Sequence, residues 1–60
     1  MKLEQLRRLR MAKGYTQTEF AKKLGIDRSY YNQIEKGKEP SLKLLGQIAS
    51  ELDKHLKDFF

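Results

Sequence analysis

The chain has 60 residues, enough for one small domain. A domain of that size buries only about 60% of its unfolded surface, so its stability is narrow. The absence of cysteine excludes disulfides and thiolate metal sites, and no apolar run exceeds three residues, which leaves no signal peptide or membrane span to be read and makes a cytoplasmic protein the default. The net charge of +5 has two readings when taken alone: general solubility, or a basic face that attracts phosphate.

Residues 2–13 are expected to form a first helix. Leu3, Leu6 and Leu9 recur along one side, Lys13 places positive charge in the last turn, and Gly14 is the stop signal. Arg7 and Arg8 are assigned to solvent. Arg10 lies on or beside the apolar face, where an unpaired charge is costly. Tyr15 is expected to lay its ring over the core with its hydroxyl wet.

A second helix is expected over residues 17–24. Thr16 is a good N-cap and Glu19 stands three residues on, the spacing of a capping box. Phe20, Ala21 and Leu24 share one face, and Gly25 follows where a left-handed residue would end the helix. Asp27 is expected to cap a third helix over residues 28–36. Tyr31, Ile34 and Glu35 share one of its sides, while Arg28, Ser29, Asn32 and Gln33 share another. Two short helices joined by a turn containing Gly form the helix-turn-helix pattern. The guanidinium, hydroxyl and two amides on the second side are the groups that read base edges in a major groove.

Gly37 ends this helix and Pro40 bars its continuation, so residues 36–41 form a basic loop, and Ser41 is expected to cap a fourth helix over residues 42–52. Its inward stripe is Leu45, Ile48, Ala49 and Leu52. Gly46 in its interior marks either a close helix approach or a substitution without a packing role. A short fifth helix is expected over residues 56–59. Leu56, Phe59 and Phe60 form an apolar patch that either closes the core or contacts another subunit. His55 is the only histidine and has no neighbouring metal-type ligand.

The combination of Gln17, Ala21, Leu24, Gly25, Ile34, Glu35, Gly37, Pro40 and Ser41 closely resembles the lambda-repressor-like, or Xre-type, helix-turn-helix domains, and the resemblance runs from about residue 6 to residue 60. It implies an all-α, compact five-helix domain whose helix-turn-helix is formed by helices 2 and 3. It also implies binding to operator DNA, usually as a homodimer on a near-palindromic site. It implies that Arg10 pairs with Glu35, although the residues alone leave both as ordinary surface charges. By the same match Arg28, Ser29 and Gln33 fall at base-contacting positions, with Asn32 on their face. Gln17, at a helix N-terminus that favours anions, falls at a phosphate-contacting position. The loop residues Lys36, Gly37 and Lys38 resemble the segment that follows the DNA backbone. Tyr31 stands where the family carries a small branched apolar residue and Asp53 near where it carries glycine; Gly46 and Lys54 depart as well, and Tyr30 is expected to point outward, within reach of sugar-phosphate or a thymine methyl.

The function implied is that of a transcriptional regulator, a repressor of prokaryotic or phage type acting in the cytoplasm. The alternative is an antitoxin or adaptor of the same fold that holds a protein partner. The sequence offers no nucleophile–base pair, no phosphate-cradling glycine loop and no metal cluster, so an enzyme, a cofactor and a metal are not expected.

Overall fold

In the computed structural model, which describes residues 3–59, a 3-10 turn (Leu3–Gln5) leads into α1 (Leu6–Ala12). Then come α2 (Gln17–Leu24), α3 (Arg28–Glu35), α4 (Leu42–Glu51) and a closing 3-10 turn (Leu56–Phe59). The described residues therefore hold four α-helices and not five. The expected fifth helix is a single turn at Leu56–Phe59, closed locally by the Asp58 carboxylate accepting from the His55 amide at 2.9 Å. Four residues give too few hydrogen bonds to offset helix nucleation. The first helix also starts later than expected. Gln5 at its N-cap makes no side-chain bond, and nothing in residues 1–5 is Ser, Thr, Asp or Asn, the residues that satisfy the first amides. Lys2, within the expected helix, lies outside the described residues.

One apolar cluster organises these elements. Leu3 and Leu6 from the first turn and α1 meet Phe20, Ala21 and Leu24 of α2 and Tyr31 and Ile34 of α3. Leu44, Leu45, Ile48, Ala49 and Leu52 from α4 and its end, with Phe59, close the cluster. The aromatic rings form a short chain through it: Tyr15 to Phe20 at 5.4 Å and Phe20 edge-on to Tyr31 at 5.3 Å between centroids. Tyr31, which departs from the small branched residue of the family pattern, is thus a core residue with no exposed surface. Phe59 is 1% exposed.

The connections are set by a repeated device. At the end of α2, Gly25 adopts φ 74°, the Ile26 amide donates to Ala21 O at 3.0 Å, and the Gly25 amide donates to Lys22 O at 3.1 Å. These two bonds are the Schellman pattern, which satisfies the last carbonyls and turns the chain sharply. Only Asp27 then separates Ile26 from α3. Asp27 has the extended backbone of an N-cap, but its side chain makes no capping bond, contrary to expectation. The other caps form as the sequence indicates. Thr16 Oγ1 accepts from Glu19 N at 3.1 Å while Glu19 Oε1 accepts from Thr16 N at 2.9 Å, and Ser41 Oγ accepts from Leu44 N at 3.1 Å.

The end of α4 makes the same turn without glycine. Asp53 takes φ 56°, and the Lys54 amide donates to Ala49 O at 2.8 Å. The Asp53 carboxylate is held by Lys13, which ties this turn to the end of α1. Aspartate tolerates the left-handed region better than most residues, so the chain keeps the turn where the family pattern carries glycine.

Two glycines are predicted to respond oppositely. A Cβ built at Gly46 meets nothing within 4 Å and its backbone is ordinary helix, so no close helix approach requires it. Gly46→Ala should raise the unfolding free energy by about 0.5–1 kcal/mol. A Cβ at Gly25 also meets open space, so any penalty there belongs to the backbone alone. Gly25→Ala should cost about 1–2 kcal/mol, and D-alanine, placed by chemical synthesis, should cost nothing. Urea unfolding of the three variants checks this; equal losses for L- and D-alanine would refute the backbone account.

Candidate nucleic-acid interface

The polar site grows from one buried charge. Arg10 near the end of α1 is 6% exposed. Its Nε donates to Glu35 Oε2 on α3 at 2.7 Å, and its Nη1 donates to Tyr15 O at 2.7 Å. One guanidinium therefore fixes the turn that leads into α2 and the far end of α3. The two side chains are 7% and 5% exposed, so the pair is shielded from water and salt. Burial pushes the Glu35 carboxyl up, but the hydrogen bond from Arg10, the adjoining Tyr31 hydroxyl and the Gln17 amide outweigh it and hold the group below the usual carboxylate range. Burial works against the Arg10 cation as well and is outweighed by Glu35. Burial also raises the Tyr31 phenol well above its ordinary value, so it stays neutral, although its hydroxyl makes no hydrogen bond of normal geometry.

Gln17, the first residue of α2, extends this network outward. Its Nε2 donates both to Glu35 Oε1 at 2.9 Å and to Asn32 Oδ1 at 3.0 Å, and its Oε1 accepts from Arg28 Nη1 at 3.5 Å. A hydrogen-bonded chain thus runs from the buried Arg10 through Glu35 and Gln17 to Asn32 and Arg28. Both hydrogens of the Gln17 amide are engaged inside the protein. The capping box uses the Thr16 and Glu19 amides, and the first turn of α2, with Gln17 and Thr18, lines the adjoining cleft.

The remaining residues singled out in the sequence lie around this chain. Arg28, Ser29 and Gln33 are exposed on α3 and Asn32 is half-buried beside them. Lys36, Gly37 and Lys38 are exposed where α3 ends. Lys38 Nζ donates to Gln33 Oε1 at 3.2 Å and stands 5.3 Å from the centroid of the Tyr30 ring. Tyr30 is therefore half-buried beneath a lysine and not directed outward. Two open clefts adjoin the site. One is lined by Arg7, Arg10, Tyr15, Thr16, Gln17 and Arg28, the other by Glu4, Arg7, Gln17, Asn32, Glu35 and Lys36. Arg7 borders both and is exposed to solvent, as expected. It precedes Arg10 by three residues, which puts the two side chains near one face of α1.

The apolar patch at the C-terminal end is not brought together as a surface. Phe59 is drawn into the core, which removes it from any subunit contact, and Leu56 is half-buried. Phe60 lies outside the described residues. Among the described residues there is no grouping of three or more potential metal-binding side chains, and no helix is long and apolar enough to cross a membrane.

The ion pair carries a pH-dependent prediction. A carboxyl depressed in the folded state adds stability that is complete above its unfolded value, about 4.3, and is lost as pH falls through the folded value. The urea midpoint of the wild type should therefore hold steady from neutrality to about pH 5 and fall below it. Arg10→Met should lower stability at neutral pH by about 3 kcal/mol, because it leaves Glu35 buried without its partner, and should flatten that acid limb. An unchanged melting temperature in Arg10→Met would show that the pair contributes nothing.

Comparison with known proteins shows the family of the chain. The family model described as "Helix-turn-helix" matches residues 6–59. An "Uncharacterized HTH-type transcriptional regulator" of Archaeoglobus fulgidus is 41% identical over 56 residues, spanning 92% of this chain and 80% of the relative. Among solved structures, the master regulator for biofilm formation SinR, crystallised in complex with DNA, superimposes with a TM-score of 0.85 at 30% identity, covering 98% of this chain and 97% of that one.

Proposed function

Because the chain belongs to the helix-turn-helix family, we propose that it is a DNA-binding transcriptional regulator whose helix-turn-helix consists of α2 and α3, with α3 entering the major groove of an operator. The observation that carries this reading is the common exposure of three elements: the polar face of α3, the first turn of α2 and the Lys36–Gly37–Lys38 segment. The solved relative named for its complex with DNA supports it.

Arg28, Ser29, Asn32 and Gln33 are the base-contacting set, because they occupy the face that a helix in the groove turns toward base edges. Gln17, Lys36, Gly37 and Lys38 are the phosphate-contacting set. Since the Gln17 side chain already donates to Asn32 and Glu35, its contribution is through the main-chain amides of the α2 N-terminus, where a phosphate meets unpaired N–H groups and the positive end of the helix dipole. The two lysines add charge, and Gly37 lets the backbone come close. These contacts fix register; the base contacts supply sequence preference. The protein works in the cytoplasm as a homodimer, binds a near-palindromic site and represses. A dimer places its two recognition helices about 34 Å apart, one turn of DNA.

Selection of bound duplexes from a random pool tests this. An enriched two-fold site with half-sites about ten base pairs apart is the expected result, and a lone half-site would refute the dimer. Arg28→Ala should weaken binding to the selected site by about 1–3 kcal/mol and relax the choice at one base pair. Lys36→Ala should weaken binding to all sequences alike and reduce the slope of log K against log salt by about one. Binding that ignores sequence in the wild type would overturn the base-reading role of α3.

A further inference from the structure

We propose that Arg7 is a further contact to the DNA backbone, its guanidinium taking a phosphate in the cleft that α1 forms with the first turn of α2 and with Arg28. The proposal rests on α2 and α3 facing the DNA, and it extends the footprint of the protein onto α1.

Position singles this residue out. Arg7 and Arg8 are neighbours on α1, and both are exposed. A helix turns by about 100° per residue, so the two side chains leave α1 in different directions. Arg7 lines the cleft that holds Thr16, Gln17, Thr18 and Arg28, and also the one that holds Gln17, Asn32 and Lys36. Arg8 lines neither; it borders a hollow on α1 with Glu4 and Met11. Of two adjacent arginines, one therefore stands beside the proposed base-reading and phosphate-binding residues, and the other does not.

Charge divides the two clefts. The second carries the carboxylates of Glu4 and Glu35, which oppose an anion. The first has no carboxylate in its lining and three guanidiniums, those of Arg7, Arg10 and Arg28. Arg10 is already matched by Glu35 and the Tyr15 carbonyl. The ion pairs among the described residues are Arg10–Glu35 and Lys13–Asp53, so the Arg7 charge has no carboxylate partner there. A guanidinium offers a planar fork of donors that fits two phosphate oxygens at once. A strand docked on α2 and α3 presents its phosphates to this cleft without a second association step. A free anion would have to give up its own translational freedom to occupy the same place, which favours the backbone phosphate as the occupant.

The test uses the intact chain and synthetic duplexes. Arg7→Ala should weaken binding by about tenfold, at the selected site and at unrelated sequences alike, and should reduce the slope of log K against log salt by about one. Arg8→Ala removes the same charge from outside both clefts and should leave affinity and slope unchanged. Both side chains are exposed, so the urea midpoints of the two variants should match the wild type. A single neutral methylphosphonate, moved along the backbone one position at a time, should find a phosphate whose neutralisation weakens the wild type and leaves Arg7→Ala as it was, the non-additivity of groups in contact. Equal losses in Arg7→Ala and Arg8→Ala would reduce the effect to net charge. Additive losses at every methylphosphonate would show that Arg7 touches no phosphate. Either result overturns this proposal and leaves base reading by α3 standing. A wild type that binds no duplex would overturn both.

Discussion

The placement of α1, α2 and α3 relative to one another depends on the buried Arg10–Glu35 pair. The α-helices are short, and an isolated helix of their length is unstable in water. Their relative placement must come from contacts between them. The apolar cluster supplies most of the favourable burial, but apolar packing is non-directional, and Ile34 and Phe20 alone do not set the rotation of α3 about its axis. A two-point tie does. Arg10 grips Glu35 and the Tyr15 carbonyl together, and Gln17 grips the other oxygen of the same carboxylate. Elements α1, α2 and α3 thus converge on one side chain.

That arrangement has a consequence for the exposed face. A long polar side chain free in solvent must lose rotamer freedom when it binds a ligand. Asn32, Arg28 and Gln33 are already partly held, the first two through Gln17 and the third through Lys38. On the proposed reading of this face, binding demands less ordering, at the expense of hydrogen-bonding capacity that the protein has taken up for itself. The buried pair is a weak source of net stability, since desolvation offsets most of its attraction. Its value to the molecule lies in direction, which an apolar pair of the same volume would not supply.

How much of this was legible beforehand depends on whether the signal was local. The capping box at Thr16 and Glu19, the left-handed turn at Gly25 and the cap at Ser41 follow from residues within three or four positions of one another, and each formed as read. The late start of α1 follows from a missing N-cap, a local feature that the leucine periodicity concealed. At the other end, the apolar spacing of residues 56–59 was read as a helix, but four residues make only a turn, and Phe59 turned inward. The site was legible as a list of residues because helical periodicity assigns faces. The contacts among those residues were not legible, because Gln17 to Asn32 and Gln17 to Glu35 join positions 15 and 18 apart, a distance no periodicity argument spans.

Tyr31 shows why such departures accumulate where they do. Its ring fills the core against Phe20, yet its hydroxyl is buried beside the Arg10–Glu35 pair without a bond of its own. An unsatisfied buried hydroxyl is unfavourable, and a branched apolar residue would avoid it. The phenol is tolerable at this position because the neighbouring carboxylate stays ionised and attracts its proton, which is also why the hydroxyl helps to keep Glu35 below the usual carboxylate range. The core and the polar network are therefore not separable layers here. A single carboxylate receives the guanidinium that orients α3 and the amide that leads to its exposed face, and it partly compensates the Tyr31 hydroxyl that the core has taken in.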